Sequence, residues 1–155
     1  MFLPYIKRLE SVITSEMVNA NKPLILGAGV FLQHPIHETG NRYDDPKWKI
    51  EVYPPYVSGA GILLNRDAML KVQSQIGITP LTNIDDAFIG ICAQKSHVKV
   101  KNMDGFRSTG PDRSDLEGYY DICQINKLVY QHKYSPSDLE PKYIFFYHWS
   151  IHNRI

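Results

Sequence analysis

A chain of 155 residues, 43% apolar and 21% charged, carries enough apolar material for one packed domain and lacks the composition of a disordered segment. Lys and Arg number 17 against 16 Asp and Glu, a balance that gives no field to attract nucleic acid or an anionic membrane surface. No run approaches the roughly 18 apolar residues of a membrane-spanning helix, and the opening Met1-Phe2-Leu3-Pro4-Tyr5 lacks the basic-then-apolar order of a signal peptide.

In chain order, Ile6, Leu9, Val12, Ile13 and Met17 recur at helical spacing, with Pro4 suited to a first turn, so the pattern predicts an amphipathic helix over residues 4–18. Residues 23–32, PLILGAGVFL, read as a buried strand, and 33–46 as loop. Residues 47–52 alternate and predict a further strand, after which Tyr53-Pro54-Pro55-Tyr56 must be extended or turning, since proline cannot propagate a ladder. A third strand is expected over 57–64, with Gly59 and Gly61 inside it. Asn65 then suits the N-cap of a helix from Arg66 to about Gln75 that Gly77 ends. Asp85 is expected to cap a helix over 86–95 that buries Phe88, Ile89, Cys92 and Ala93. A short strand at 97–101, a loop over 102–118, a strand at 128–131 and a last helix opened by Ser135-Pro136 complete the reading. Strands and helices mixed along one chain, with no repeat and no linker, make this a single domain of the α/β class.

Three segments carry candidate chemistry. In YPPYVSGAGILLNRD, residues 53–67, the two glycines mark either a close approach by a ligand or tight packing of the backbone. In NIDDAFIGICAQK, residues 83–95, Asp85 and Asp86 open a helix, where Asp is favoured because it satisfies orphan N–H groups and the helix dipole. The sharper alternative is that one of them serves as a general base. In LVYQHKYSP, residues 128–136, a strand end delivers His132 into a loop, as a structural histidine or as a site residue. The two cysteines, Cys92 and Cys123, are either free buried thiols or one disulfide.

Taken in order, YPPYVSGAGILLNRD, IDDAFIGICAQK, GFRS, a second Cys and LVYQH resemble the β-1,3-galactosyltransferase and β-1,3-N-acetylglucosaminyltransferase family over about residues 1–136, with a divergent tail from 137 to 155. The pairing of YPPY-x-SG-x-G with IDD-x-x-x-G-x-C is specific to it. The resemblance implies the C-terminal portion of a nucleotide-sugar transferase domain of GT-A type, a mixed sheet flanked by helices. It also implies that the chain begins just after the family's Asp-x-Asp metal motif. The expected reaction transfers galactose or N-acetylglucosamine from a UDP-sugar to a hydroxyl of a glycan on a glycoprotein or glycolipid, in β-1,3 linkage with inversion. Mn²⁺ or Mg²⁺ is the expected cofactor, and the lumenal side of the Golgi membrane the expected compartment, without membrane contact by this chain.

By the same resemblance Asp86 matches the catalytic base and Asp85 the acidic residue that shapes the site. Tyr56, Gly59 and Gly61 match positions facing the substrate, His132 matches a residue at the metal-diphosphate end, and Cys92 and Cys123 match a disulfide. The chain departs from the pattern in lacking the Asp-x-Asp motif, in a short connector from Trp48 to Tyr53, and at Ile62, Asn65 and Ala87. With the metal motif absent, the chain by itself is expected to be inactive. A remnant that binds a glycan or a partner transferase without catalysis is the alternative. A metal hydrolase built on Asp85, Asp86 and His132 fits less well, because adjacent helical residues point about 100° apart.

Overall fold

A computed structural model describes residues 3–46, 48–108 and 129–131. The sheet is built on β1, Leu24–Gly27, which is central. It pairs antiparallel with β2, Ile62–Leu64, through Ile25 opposite Leu64, and parallel with β3, Lys99–Asn102, through Ile25 opposite Val100. A second, two-stranded piece pairs β4, Phe106–Arg107, in parallel with β5, Tyr130–Gln131.

The alternation along β1 sets the layers. Leu24 and Leu26 join Val12, Met17, Ala28, Phe106 and Val129 in a core on one face. Ile25 faces the other way, into a core with Val57, Ala68, Val72, Cys92, Ala93 and Val98. The first face is covered by α1, Leu3–Val12, and its continuation, the second by α2, Arg66–Ile76, and α3, Asp85–Lys95. This is the expected mixed sheet flanked by helices. No helix among the described residues is long and apolar enough to cross a membrane.

Several expectations are corrected. The first helix runs on as π-helix over Ile13–Val18, which brings residues five apart onto one face. Val12 and Met17 are therefore the buried pair, while Ile6 and Ile13 are exposed. The strand expected over 23–32 stops at Gly27, since Gly29 takes φ +67°, and the chain regains only a single bridge, Phe31 to Tyr56. Residues 48–52 form no strand, for they meet no pairing edge, and Lys49 through Val52 are all exposed. Gly59 and Gly61 lie in the turn before β2 and not within a strand. α2 is as read, with Asn65 Oδ1 accepting from Ala68 N at 3.0 Å and Gly77 at the C-cap. α3 begins one residue early: Ile84 is the N-cap and Asp85 the first helical residue, while Thr82 Oγ1 accepts the Ile84 N–H. Its buried set is Ala87, Gly90, Ile91, Cys92 and Ala93, with Phe88 and Ile89 only half-buried. The expected helix after Ser135 lies outside the described residues.

Candidate functional site

The YPPY segment is the hinge of the site. Pro54 and Pro55 hold it extended, and Tyr53 and Tyr56 pack with Ala87 and Ile91 of α3 in a third core. Such close contact depends on Gly90. A Cβ there would sit 2.6 Å from Tyr56 Cβ and 2.9 Å from the Pro55 carbonyl oxygen, so only glycine lets the helix lie against this backbone. The contact fixes the N-terminus of α3 beside the turn at residues 58–61.

Between that turn, the start of α3 and the loop from residue 31 to 45 lies a cavity of about 550 Å³. Two pairs far apart in sequence, Tyr56 with Gly59 and Asp85 with Asp86, line it together. Asp86 is held by backbone on both carboxylate oxygens: Oδ2 accepts the Gly59 N–H and Oδ1 the Ala87 N–H, each at 2.9 Å. Asp85 Oδ1 accepts the Asp86 N–H at 2.9 Å, and its side chain is the more exposed of the two. The two carboxylates thus differ in situation, one pinned and one open. The Gly59 N–H reaches Asp86 because the turn comes close, and a Cβ at Gly59 would touch Asp86 Cβ at 3.4 Å.

Tyr56 is buried, and its hydroxyl donates to Gln33 Oε1 at 2.6 Å. Burial, and after it the negative charge of Asp86, pushes this phenol up to about 12, so it stays protonated and neutral beside the carboxylate. Tyr53 lies deeper, and its hydroxyl donates to Asp45 Oδ2 at 2.7 Å. Burial, and then that bond to Asp45, raise it well above the ordinary phenol value.

Gly61 is not part of the cavity lining. Its carbonyl oxygen packs against Gly27, where a Cβ would come within 2.8 Å. His132 and Cys123 lie outside the described residues, so neither the placement of His132 nor the expected disulfide is among the described contacts. Cys92 is buried and unpaired among the described residues, and burial raises its thiol above the ordinary value. Among the described residues no group of three or more His, Cys, Asp or Glu converges to hold a metal ion.

The opposite wall of the cavity was not legible in the motifs. Gln33, His34, Arg42 and Tyr43 supply it from a segment read only as loop, and Asn83 completes it. Asn83 Nδ2 donates to the Asp44 carbonyl oxygen and ties that loop to the start of α3. The one available signal was compositional, a loop dense in His, Arg, Tyr and Asn ahead of the YPPY segment.

Residues 2–104 match the family model described as galactosyltransferase. The chain is 30% identical over 108 residues to a mouse acetylgalactosaminyl-O-glycosyl-glycoprotein beta-1,3-N-acetylglucosaminyltransferase, a stretch that is 68% of this chain and 28% of the relative. It is 24% identical over 131 residues to mouse beta-1,3-galactosyltransferase 5, covering 82% of this chain and 41% of the relative. It is 29% identical over 119 residues to rat UDP-GlcNAc:betaGal beta-1,3-N-acetylglucosaminyltransferase 7, covering 74% and 30%. The chain belongs to the galactosyltransferase family, as the sequence motifs implied. It spans between 28% and 41% of the length of these three relatives.

Proposed function

We propose that this chain carries the acceptor side of a β-1,3-glycosyltransferase site, with Asp86 as general base. The observation that carries the reading is the Asp86 carboxylate, held on each oxygen by a backbone N–H while lining a cavity large enough for a saccharide. A carboxylate has about four lone-pair positions, so one bond to each oxygen leaves room for a proton. In the reaction the acceptor hydroxyl oxygen bonds to the anomeric carbon of the donor sugar from the face opposite the diphosphate. The bond from that carbon to the diphosphate oxygen breaks, and the hydroxyl proton passes to Asp86. Attack from the opposite face inverts the anomeric centre. General-base help of this kind contributes about 10²–10⁴-fold.

Tyr56 shapes the floor beneath Asp86, and its neutral phenol adds no competing charge. Gly59 presents its N–H and leaves the turn open to the donor sugar, and Asp85 stands at the rim. The donor is a UDP-sugar carrying galactose or N-acetylglucosamine, and the acceptor is a glycan of a glycoprotein or glycolipid in the Golgi lumen. The divalent cation that would neutralise the departing diphosphate, Mn²⁺ or Mg²⁺, finds no ligand group among the described residues. The chemistry these residues account for is therefore that of the acceptor.

The test is an assay with UDP-galactose and UDP-N-acetylglucosamine, Mn²⁺ and a panel of glycan acceptors, run on this chain joined to the Asp-x-Asp-bearing portion of a relative, beside the same protein carrying Asp86→Asn. The amide cannot take the proton, so the variant is expected to lose at least about 100-fold in kcat with little change in acceptor KM. Transfer untouched by the substitution removes Asp86 as base. Saccharide binding without transfer by either form assigns the cavity to glycan recognition alone.

A further inference from the structure

The wall of the cavity facing Asp86 has a fixed hydrogen-bonding polarity. Tyr56 donates its hydroxyl to Gln33 Oε1, so the Gln33 amide is oriented with its carbonyl inward and both Nε2 hydrogens free to donate. His34 Nδ1 lies 2.7 Å from the Glu51 carbonyl oxygen. A carbonyl can only accept, so Nδ1 carries a proton, and when the ring is uncharged Nε2 is an acceptor. The wall thus presents a donor and an acceptor on consecutive residues, Gln33 and His34, both held by protein partners.

Beside them Tyr43 supplies an aromatic surface. The Arg42 guanidinium sits 4.8 Å from the ring centroid, steadying the ring from one side. Tyr43 nevertheless stays 46% exposed while lining the cavity, so the rest of the ring is open to a ligand. The loop is anchored where it turns. Asp45, 1% exposed, holds the Tyr53 hydroxyl, and Asn83 holds the Asp44 carbonyl from the start of α3. The platform is therefore built into the fold at a set position relative to Asp86.

A fixed donor, a fixed acceptor and an open ring face are what a pyranose requires: its hydroxyls both donate and accept, and its C–H face is apolar. A volume of about 550 Å³ falls in the ~300–1,000 Å³ range of sites for drug-sized ligands, the size of a disaccharide. The carboxylates in the lining, Asp85 and Asp86, disfavour an anionic ligand, and the guanidinium of Arg42 is already engaged with Tyr43.

We infer that Gln33, His34 and Tyr43 form a subsite for the second sugar of the acceptor glycan, a neutral pyranose stacked on Tyr43 while the terminal sugar reaches Asp86. The inference rests on the reading of Asp86 as the base acting on the terminal hydroxyl. It makes this loop the part of the chain that chooses among acceptors.

The test is titration calorimetry of the 155-residue chain with methyl β-galactopyranoside and with methyl β-lactoside, joined to saturation-transfer NMR on the lactoside. The disaccharide is expected to bind at least about tenfold more tightly than the monosaccharide, with saturation reaching the ring protons of its second sugar. Tyr43→Ala should bring the lactoside down toward the galactoside, Tyr43→Phe should keep the preference, and Lys99→Gln, outside the cavity, should change neither. Tyr43 is a surface residue, and a circular-dichroism spectrum matching the unmodified chain verifies that the alanine variant is folded. Equal binding of the two saccharides, or a preference that Tyr43→Ala leaves intact, overturns the subsite and leaves the reading of Asp86 standing. No saccharide binding at all overturns both.

Discussion

The two walls of the cavity are made in different ways. The wall carrying Asp86 is assembled from short-range rules: a helix start rich in carboxylates, a turn with glycines, and a proline pair that holds an extended segment. The facing wall, from Gln33 to Asp45, has no helix or paired strand and is held by bonds to distant parts of the chain, among them three from side chains of the first wall and its neighbours: Tyr56 to Gln33, Tyr53 to Asp45, and Asn83 to Asp44. The pieces of the first wall are each shaped by what their residues do to their own neighbourhood, and are joined by Gly90 against the YPPY segment and by the Gly59 N–H on Asp86. The second is fixed only once the first exists, since two of these anchors are tyrosines of the YPPY segment and the third precedes α3. The wall bearing the proposed chemistry is thus the scaffold for the wall proposed to select the substrate.

The strongest way to break this arrangement is at the contact that joins α3 to the YPPY segment. Gly90→Ala places a methyl group 2.6 Å from Tyr56 Cβ and 2.9 Å from the Pro55 carbonyl oxygen, and neither atom is the free end of a flexible side chain. Backbone must move, and a destabilisation of roughly 3 kcal/mol is expected in denaturant titration. Both walls should suffer, so saccharide binding falls with stability. A change below about 0.5 kcal/mol would mean that the segment has room the packing does not suggest.

Alkali offers a milder way to loosen the same joint. Tyr56 ionises near 10 in the unfolded chain and is pushed up to about 12 in the fold. The unfolded state therefore loses its proton first as pH rises, so the stabilisation is complete below about pH 10 and is lost between about pH 10 and 12. For one group the loss is on the order of 2–3 kcal/mol. Tyr53 is raised further and acts in the same direction. Unfolding followed by tyrosinate absorbance should show a steep fall in that window, and Tyr56→Phe should make it shallower while leaving the part due to Tyr53.

A sharper cut separates the walls. Tyr53→Phe leaves the ring stacked on Trp48 but removes the proton that Asp45 Oδ2 accepts, within a pair almost wholly closed to water. A buried carboxylate that loses its donor costs roughly 2 kcal/mol. Because Asp45 anchors the loop, the wall of Gln33, His34 and Tyr43 should loosen while α3 and Asp86 stay in place. Hydrogen exchange would record faster exchange at the Asp45 and Tyr53 amides, which bond to the Ile36 and Gln33 carbonyls, with Phe88 and Ile91 unchanged.

How much of this was legible follows the same division. The helix over 66–76 could be read from Asn65 and Gly77, the carboxylates at the start of α3 from adjacent Asp residues, and the last short strand from its apolar run. Each is a local signal. The π-turn at Ile13–Val18 was not readable, because Val12 and Met17 fit a loose helical stripe as well as a five-residue step. Residues 47–52 alternate like a strand, yet 48–52 find no partner, and partners are not written in the segment itself. Gly90 sits mid-helix, where sequence alone cannot tell packing from tolerance, and its reason appears only when Tyr56 is seen against it. The loop wall was invisible because each of its anchors spans between 8 and 39 residues.

The smallest expected effect tests whether the local side is as independent as it looks. Asn65 caps α2 through Oδ1, which accepts from Ala68 N at 3.0 Å, but the same oxygen also accepts from Leu24 N at 3.1 Å. Its Nδ2 donates to the Lys22 carbonyl oxygen at 2.9 Å. One side chain therefore closes a helix and secures the first residue of the central strand. Asn65→Ala should cost about 1–2 kcal/mol, the upper part of the range for losing a cap. Asn65→Ser keeps an oxygen for the cap, but its side chain is shorter and carries no amide to reach Lys22. If the cap dominates, the serine variant should recover most of the loss, and only the strand-side bonds should be missing. If it recovers almost none, Asn65 acts chiefly on β1, and the helix that looked self-contained is held in register with the sheet by a side chain, as the loop wall is.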